Sequence, residues 1–169
     1  KSNISLQIRM EMKKDIRDLD EKELLKFCLS NNLPKFRAKQ IHEWLWKKRA
    51  VAFTEMTSLP LLIRELLIKN FCIKPVVIQN TITSRDKTIK YSLKLYDNLL
   101  IEGVLIPSKK RVTACVSSQV GCSLSCVFCA TGTLKLERNL SAAEIYDQVF
   151  ILNQQSINQF KRPLSNIVF

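Results

Sequence analysis

Three of the six cysteines in the chain lie within eight residues of one another. They are Cys122, Cys126 and Cys129, and their spacing is C-x3-C-x2-C. Three thiolates on one short loop can hold a cubane iron–sulfur cluster, and they ligate only three of its four irons. An open metal position is what a catalytic site keeps for a ligand, whereas a structural site fills every position. The spacing therefore favours a catalytic 4Fe-4S cluster held by these three side chains.

A structural zinc site is the alternative use of the same cysteines. It needs a fourth ligand, and the only histidine is His42, which lies far upstream in a basic segment. Cys28 and Cys72 lie among apolar residues, which is typical of core cysteines rather than ligands. A disulfide scaffold is disfavoured, because a chain of 169 residues can form a core without covalent crosslinks.

The charge balance narrows the class of partner. The 27 Lys and Arg residues outnumber the 15 Asp and Glu residues, and the formal net charge is +12. This excess favours a polyanionic partner, with nucleic acid first, although many basic proteins bind none. No run of apolar residues is long enough for a membrane span, and the first residues lack the apolar core of a signal peptide. A soluble, cytoplasmic protein without a membrane partner is expected.

Helical patterns fill residues 1–74, which we interpret as a helical accessory module. Asp20 is a predicted N-cap, and a later helix is predicted to begin near Pro60. Between them, KFRAKQIHEWLWKKR predicts an amphipathic helix with Ile41 and Leu45 on its apolar face. The basic residues in and beside this helix are Lys35, Arg37, Lys39, Lys47, Lys48 and Arg49. Such a surface either contacts RNA phosphates or is simply solvated.

Residues 75–110 have the pattern of a β-rich extension. Short apolar runs are separated by SRDK, DN and PSKK, which are typical turn sequences. Ile89, Tyr91 and Leu93 alternate with polar neighbours, as a half-buried strand requires. The extension is therefore predicted to be an antiparallel meander.

Residues 111–169 combine a strand, the cysteine loop, a helix and a final strand. Ser141 and Glu144 have the spacing of a capping box at the start of that helix. The order indicates a βα unit, so the predicted class is α/β, or α+β for the chain as a whole. Because the chain begins with Lys and stops after the apolar run SNIVF, we expect it to be a fragment.

The cysteine motif resembles that of the radical S-adenosylmethionine (SAM) enzymes, which have an aromatic residue before the last cysteine, here Phe128. The longer run CVSSQVGCSLSCVFCATG with ERNLSAAEIYDQV resembles one subgroup, the adenosine C2 methyltransferases of ribosomal and transfer RNA known as RlmN. LPKFRAKQIHEWLWKK and FTEMTSLPLLIRELL are similar to that subgroup's N-terminal accessory domain. The resemblance extends from about Leu19 to Phe169.

The resemblance implies a fold, cofactors and partners. Residues 111–169 would begin a partial (β/α) barrel. The cofactors would be SAM and a 4Fe-4S cluster held by Cys122, Cys126 and Cys129. Phe128 would cover the adenine of SAM, and the alternative is that its ring only packs in the loop. The reaction would be methylation of C2 of adenosine in 23S rRNA and tRNA, through a methylated cysteine absent from this chain. A monomer that takes electrons from a donor such as flavodoxin is expected.

Two further residues are implied as catalytic. Glu102 lies in the apolar run LLIEGVLIP, where a carboxylate is costly, and it matches the family's glutamate that handles the proton at the adenine carbon. Cys115 matches a family cysteine, seven residues before the first ligand, that resolves the protein–RNA adduct through a transient disulfide. The alternatives are a solvent-facing edge-strand glutamate and an ordinary core cysteine.

Two rival functions stay open on the sequence alone. A Cfr-type methyltransferase has the same cysteine set and modifies C8 of adenosine. An RNA-binding module with a structural metal site would bind zinc and leave SAM intact. Since the glycine-rich GEP segment and the methyl-carrying cysteine are missing, this chain by itself is not expected to complete a turnover.

Overall fold

The structure, a computed structural model, describes residues 13–122 and 135–169. The chain divides into two compact units, with the boundary between Lys74 and Pro75. Within the described ranges, no helix is both long enough and apolar enough to cross a membrane.

Residues 13–74, the described part of the first unit, form three α-helices. They are α1 (Glu21–Ser30), α2 (Phe36–Trp46) and α3 (Leu61–Asn70), with short 3-10 turns at Ile16–Asp18 and Phe53–Glu55. Asp20 is the N-cap of α1, as the sequence predicted, and the structure shows that it forms a capping box with Glu23. The Asp20 carboxylate accepts the N–H of Glu23 at 2.7 Å, and the Glu23 carboxylate accepts the N–H of Asp20 at 3.0 Å. Two N–H groups that lack helical partners are thereby satisfied.

The core of the first unit lies between these helices. Ile41 and Leu45 are buried on the predicted apolar face of α2. Cys28 is also fully buried, and this burial raises the pKa of its thiol, as expected for a core cysteine. The Trp44 indole is half-buried, and its Nε1 donates to Ser58 Oγ at 2.8 Å. The core prediction for Cys28 is therefore confirmed.

A buried ion pair joins the two ends of this unit. The Asp15 carboxylate accepts from the Arg17 guanidinium at 2.9 Å and from the backbone N–H of Lys74 at 2.9 Å. Arg17 also donates to the carbonyl of Lys74 at 3.0 Å. Buried charges need this degree of hydrogen bonding to offset their desolvation.

The second unit is built on a five-stranded mixed sheet. Its strands are β1 (Val77–Thr83), β2 (Ile89–Lys94), β3 (Leu100–Pro107), β4 (Val112–Cys115) and β7 (Asn166–Val168), in that spatial order. The first three neighbouring pairs are antiparallel, which confirms the predicted meander. The last pair, β4 with β7, is parallel.

Helix α4 (Ala142–Phe160) connects the two parallel strands and packs on one face of the sheet. This confirms the predicted βα unit and the α/β class. Gly103 permits the close packing, because a Cβ there would lie 3.1 Å from the Leu152 Cδ1. The buried sheet residues on this face include Ile89, Tyr91, Leu93, Ile101, Leu105, Val112 and Ala114. The opposite face is not covered by α4.

Candidate active site

The register of the sheet places the two predicted catalytic residues on its uncovered face. Cys115 pairs directly with Val104, and Glu102 lies two residues from Val104 along β3. Paired residues of an antiparallel sheet point to the same face, and diagonal neighbours lie roughly 7–8 Å apart. Glu102 and Cys115 are therefore close neighbours on one surface, at the carboxyl end of β4.

Glu102 is a surface carboxylate in this structure. Its side chain is 56% exposed, and it accepts a hydrogen bond from Lys90 Nζ at 2.9 Å. The apolar residues that flank it in sequence, Ile101 and Gly103, point to the covered face. The apolar run thus reflects strand alternation and not an apolar environment for the carboxylate. Because β3 lies between β2 and β4, Glu102 is also not on an edge strand.

Cys115 ends β4 as a half-buried free thiol. The chain beyond it is held against α4 by Gln148, whose amide is fully buried. Gln148 Oε1 accepts the N–H of Ser117 at 2.9 Å, and Nε2 donates to the Ser117 carbonyl at 3.0 Å. The Ser117 hydroxyl donates to the carbonyl of Glu102 at 2.9 Å. These bonds fix the path of the chain from β4 toward the cysteine loop.

Cys122 is also half-buried, and it follows a turn that requires glycine. Gly121 has φ +75°, and a Cβ there would lie 2.0 Å from the carbonyl oxygen of Lys135. Only glycine fits such a close approach of two backbones in this conformation. Cys126, Cys129 and Phe128 lie outside the described residues.

The chain segments before and after residues 123–134 pair with each other in a two-stranded ribbon. Strand β5 (Gln119–Val120) pairs with β6 (Arg138–Asn139) in antiparallel register. Further backbone bonds run from Glu137 N to the Val120 carbonyl and from Leu140 N to the Ser118 carbonyl, both at 2.9 Å. The ribbon therefore brings the two ends of the cysteine segment together.

The donor set fits an iron–sulfur cluster. One of the three predicted thiols stands at the closed base of the loop, and the other two follow within the next seven residues of the sequence. In the ranges that the structure describes, no group of three His, Cys, Asp or Glu side chains is placed to bind a metal. The cysteine loop is thus the candidate for a metal centre in this chain, with Cys122, Cys126 and Cys129 as the ligands.

A polar cluster beside the ribbon was not found from the sequence. Arg138 forms ion pairs with Asp97 at 2.6 Å and with Glu144 at 2.8 Å. The sequence predicted Glu144 only as a helix cap. A usable signal was present, because Glu144, Asp147 and Gln148 place three polar side chains on the buried face of an amphipathic helix.

The basic residues that the sequence analysis singled out lie on and beside α2. Lys48 Nζ lies 3.9 Å from the centroid of the Trp44 ring. Lys35, Lys39 and Lys47 line a cavity of about 530 Å³ that also contains His42. His42 Nε2 lies 3.8 Å from Glu21 Oε1, and the His42 side chain is partly exposed, as the sequence analysis expected of a surface histidine.

Comparisons with known proteins show what the two parts of the chain resemble. Residues 14–73 match the family described as the ribosomal RNA large subunit methyltransferase N-terminal domain. A protein of Cytophaga hutchinsonii named "Probable dual-specificity RNA methyltransferase RlmN" is 49% identical over 92% of this chain and 43% of its own length. A protein of Christiangramia forsetii with the same name is 50% identical over 94% of this chain and 45% of its own length.

A crystal structure of a radical SAM methyltransferase from Sphaerobacter thermophilus matches the fold. The TM-score is 0.75 at 35% identity, over 91% of this chain and 45% of that one. The fold and the cysteine loop therefore define a protein of the radical SAM methyltransferase class. Residues 14–73 belong to the N-terminal domain family of the RlmN methyltransferases, and the chain as a whole is similar to proteins of that name. It spans about half the length of the curated relatives it matches.

Proposed function

We propose that this chain carries the cluster-binding part of an enzyme that methylates C2 of adenosine in ribosomal and transfer RNA with SAM. The observation that carries the proposal is the β5–β6 ribbon, which joins the two ends of the cysteine segment after β4, the strand that places Cys115 near Glu102. Ligands of α/β folds bind at the carboxyl ends of parallel strands, and β4 and β7 are the parallel pair. The relatives' printed name, dual-specificity RNA methyltransferase, supports this substrate class.

The chemistry of the substrate explains why such a site is needed. Carbon 2 of adenine has no nucleophilic lone pair, so it cannot displace a methyl group from a sulfonium. When bound, a 4Fe-4S cluster with one open iron supplies the electron that cleaves SAM and starts radical chemistry. The role of Cys122, Cys126 and Cys129 is to hold that cluster, and Phe128 would cover the adenine of SAM.

Glu102 and Cys115 would act on the RNA side of the reaction. The Glu102 carboxylate is exposed on the uncovered face, where it can take the proton from the adenine carbon. The Cys115 thiolate would attack the sulfur of the RNA-linked cysteine, which this chain does not contain. A sulfur–sulfur bond then forms while the carbon–sulfur bond to the RNA adduct breaks. Both side chains lie on one face of the sheet, and β4, which ends at Cys115, leads into the β5–β6 ribbon.

RNA phosphates would be contacted by the first unit. Exposed Lys35, Lys39 and Lys47 lie around one cavity on α1 and α2, and the chain as a whole carries a charge of +12. Such a cluster attracts a phosphate backbone regardless of sequence. An electron donor such as flavodoxin and a cytoplasmic location go with this activity.

The proposal is tested on the complete enzyme, meaning this chain continued by the C-terminal part that its relatives have. Ribosomal or transfer RNA is incubated anaerobically with enzyme, SAM and a reductant, and the nucleosides are analysed by mass spectrometry. We expect 2-methyladenosine, and its loss in Cys122→Ala. The matched control is Cys72→Ser, since this buried thiol lies outside the loop and donates to the Lys13 carbonyl at 3.1 Å, a bond that serine can keep.

The other outcomes separate the rival functions. If 8-methyladenosine forms, the Cfr-type activity replaces the proposal. If the purified protein contains zinc and leaves SAM intact, the chain is an RNA-binding module with a structural metal. If Cys72→Ser abolishes product as completely as Cys122→Ala, the effect is general instability and the assignment of the ligand fails.

A further inference from the structure

Arg138 occupies the centre of the hydrogen-bond network at the base of the cysteine loop. Its Nε and Nη2 donate to Asp97 Oδ2 at 2.8 and 2.6 Å. Its Nη1 and Nη2 donate to the two carboxylate oxygens of Glu144 at 2.9 and 2.8 Å, and Nη1 also donates to the Asn139 carbonyl at 3.2 Å. A guanidinium has five N–H groups, and every one of them has an acceptor here.

The two carboxylates are themselves held in place. Asp97 lies in the β2–β3 turn, and its Oδ1 accepts the N–H of Leu99 at 3.1 Å. Glu144 is almost fully buried and completes the capping box of α4 with Ser141. Arg138 therefore binds carboxylates whose positions are already fixed. Forming these forked hydrogen bonds of the guanidinium costs little conformational entropy. Its hydrogen bond with Glu144 also raises the pKa of the guanidinium above its ordinary value.

These contacts connect the β2–β3 turn and the start of α4 to the short strand β6. The β2–β3 turn, the first turn of α4 and strand β6 all meet at the Arg138 guanidinium. Strand β6 pairs with β5, and Arg138 itself pairs with Val120. Cys122 follows Val120 by two residues, with only the strained Gly121 turn between them. The position of the Cys122 backbone is thus tied to Arg138 through one ladder of hydrogen bonds.

We propose that Arg138 is a positioning residue that fixes the base of the cysteine loop, so that Cys122 enters the cluster site with one defined backbone direction. The inference rests on the proposed function, because it assumes that the loop holds iron. Groups behind the ligands of a metal site usually change metal retention about 10- to 100-fold when they are altered. Arg138 has that place in this fold through the backbone, because it pairs with Val120, two residues before Cys122.

The test compares Arg138→Lys with the same change at an arginine of the second unit that lies outside the β5–β6 ribbon. Arg162 donates to the carbonyls of Lys109 at 3.0 Å and Ser108 at 3.3 Å, so it also joins two loops. Lysine keeps the charge at both positions and loses the fork. After anaerobic reconstitution of the complete enzyme with iron and sulfide, the rate of iron loss to a ferrous chelator is measured below the unfolding temperature of each variant.

We expect Arg138→Lys to lose iron about tenfold faster than the unaltered enzyme, and Arg162→Lys to stay within about twofold of it. The electron paramagnetic resonance signal of the reduced cluster should also respond differently to SAM in Arg138→Lys. A merely structural arginine would lower the unfolding temperature and leave both readouts unchanged. Equal iron-loss rates for the two lysine variants, with the same response to SAM, would overturn the positioning role.

A second variant covers a failure of Arg138→Lys to fold. Asp97→Asn removes one charge from the fork and leaves the Glu144 pair in place, so a smaller acceleration of iron loss, about threefold, is expected. No acceleration in Asp97→Asn would contradict the role of the turn. If the unaltered enzyme itself binds no iron–sulfur cluster, the proposed function fails first, and this inference fails with it.

Discussion

Gly121 and Gly103 are both crowded, but different atoms crowd them. A Cβ on Gly121 would meet the Lys135 carbonyl oxygen at 2.0 Å, and that atom belongs to the backbone of the loop's returning end. A Cβ on Gly103 would meet the tip of the Leu152 side chain at 3.1 Å, and that side chain can move. Gly121 also has a positive φ, which L side chains rarely adopt. The two glycines should therefore differ sharply in their tolerance of alanine.

We expect Gly121→Ala to destabilise the β5–β6 ribbon by about 1–3 kcal/mol from the backbone conformation alone, with the clash in addition. Gly103→Ala should change stability by no more than about 1 kcal/mol, because alanine also reduces the freedom of the unfolded chain. Amide hydrogen exchange measures this locally at Glu137 and Leu140, whose N–H groups bond across the ribbon base. Faster exchange at these amides in both variants alike would show that the Gly121 turn is not specifically constrained.

At the residue scale, prediction succeeded where the neighbours of a side chain in the sequence indicated its environment in the fold. The buried state of Cys28 followed from its apolar neighbours, and the structure agrees. Glu102 was harder, because an apolar run does not say which face of the strand carries the charge. The Arg138 network was missed, since its acceptors Asp97 and Glu144 lie far from it or serve a second role in the sequence.

At the scale of elements, local signals located the helices. Helix α1 begins after Asp20, which the sequence predicted as an N-cap, and α4 begins after Ser141 with the predicted capping box. The two-residue strands β5 and β6 had no such signal. Their pairing depends on the chain's return after the cysteine segment, which is a tertiary event. Elements stabilised by their own neighbours were therefore predictable, and those stabilised by distant residues were not.

The cap of α1 offers a test of the first unit on its own. Asp20→Ala removes a side-chain acceptor at the helix start and should lower the free energy of unfolding of this unit by about 1 kcal/mol. Both tryptophans, Trp44 and Trp46, lie in α2, so their fluorescence reports this unit. The matched change, Ser141→Ala, removes the equivalent acceptor from α4 of the second unit.

Urea unfolding followed by tryptophan fluorescence separates the two variants. If residues 1–74 form an independent module, Asp20→Ala shifts the midpoint to lower urea and Ser141→Ala leaves it unchanged. A similar shift in both variants contradicts the predicted module, because the fluorescence would then report a transition that both units share.

At the scale of the whole molecule, the candidate catalytic surface and the basic surface around α2 belong to different units of the chain. The candidate catalytic surface, with Glu102, Cys115 and the cysteine loop, belongs to the second unit. The basic surface around α2 belongs to the first. Net charge alone gives any polyanion an attraction to the chain, whereas a binding surface concentrates the phosphate contacts in one place. The salt dependence of RNA binding distinguishes these two cases.

Neutralising two cations by glutamine should reveal where the phosphates lie. Lys35 and Lys39 are exposed beside the α2 cavity, and Lys109 and Lys110 are exposed in the loop between β3 and β4. Both double changes remove the same net charge. If the first unit contacts RNA, Lys35→Gln with Lys39→Gln lowers the slope of log affinity against log salt by about 2, since each phosphate contact contributes about 1.

The measurement is fluorescence anisotropy of labelled transfer RNA with the complete enzyme, titrated at several potassium chloride concentrations. The Lys109 and Lys110 double variant should keep the slope within about 0.5 of the unaltered enzyme, because a distant charge acts only through the screened field. Equal slopes for the two double variants would mean that net charge alone attracts the RNA. The first unit would then lose its assignment as the RNA-contacting module, while the chemistry assigned to the second unit would stand.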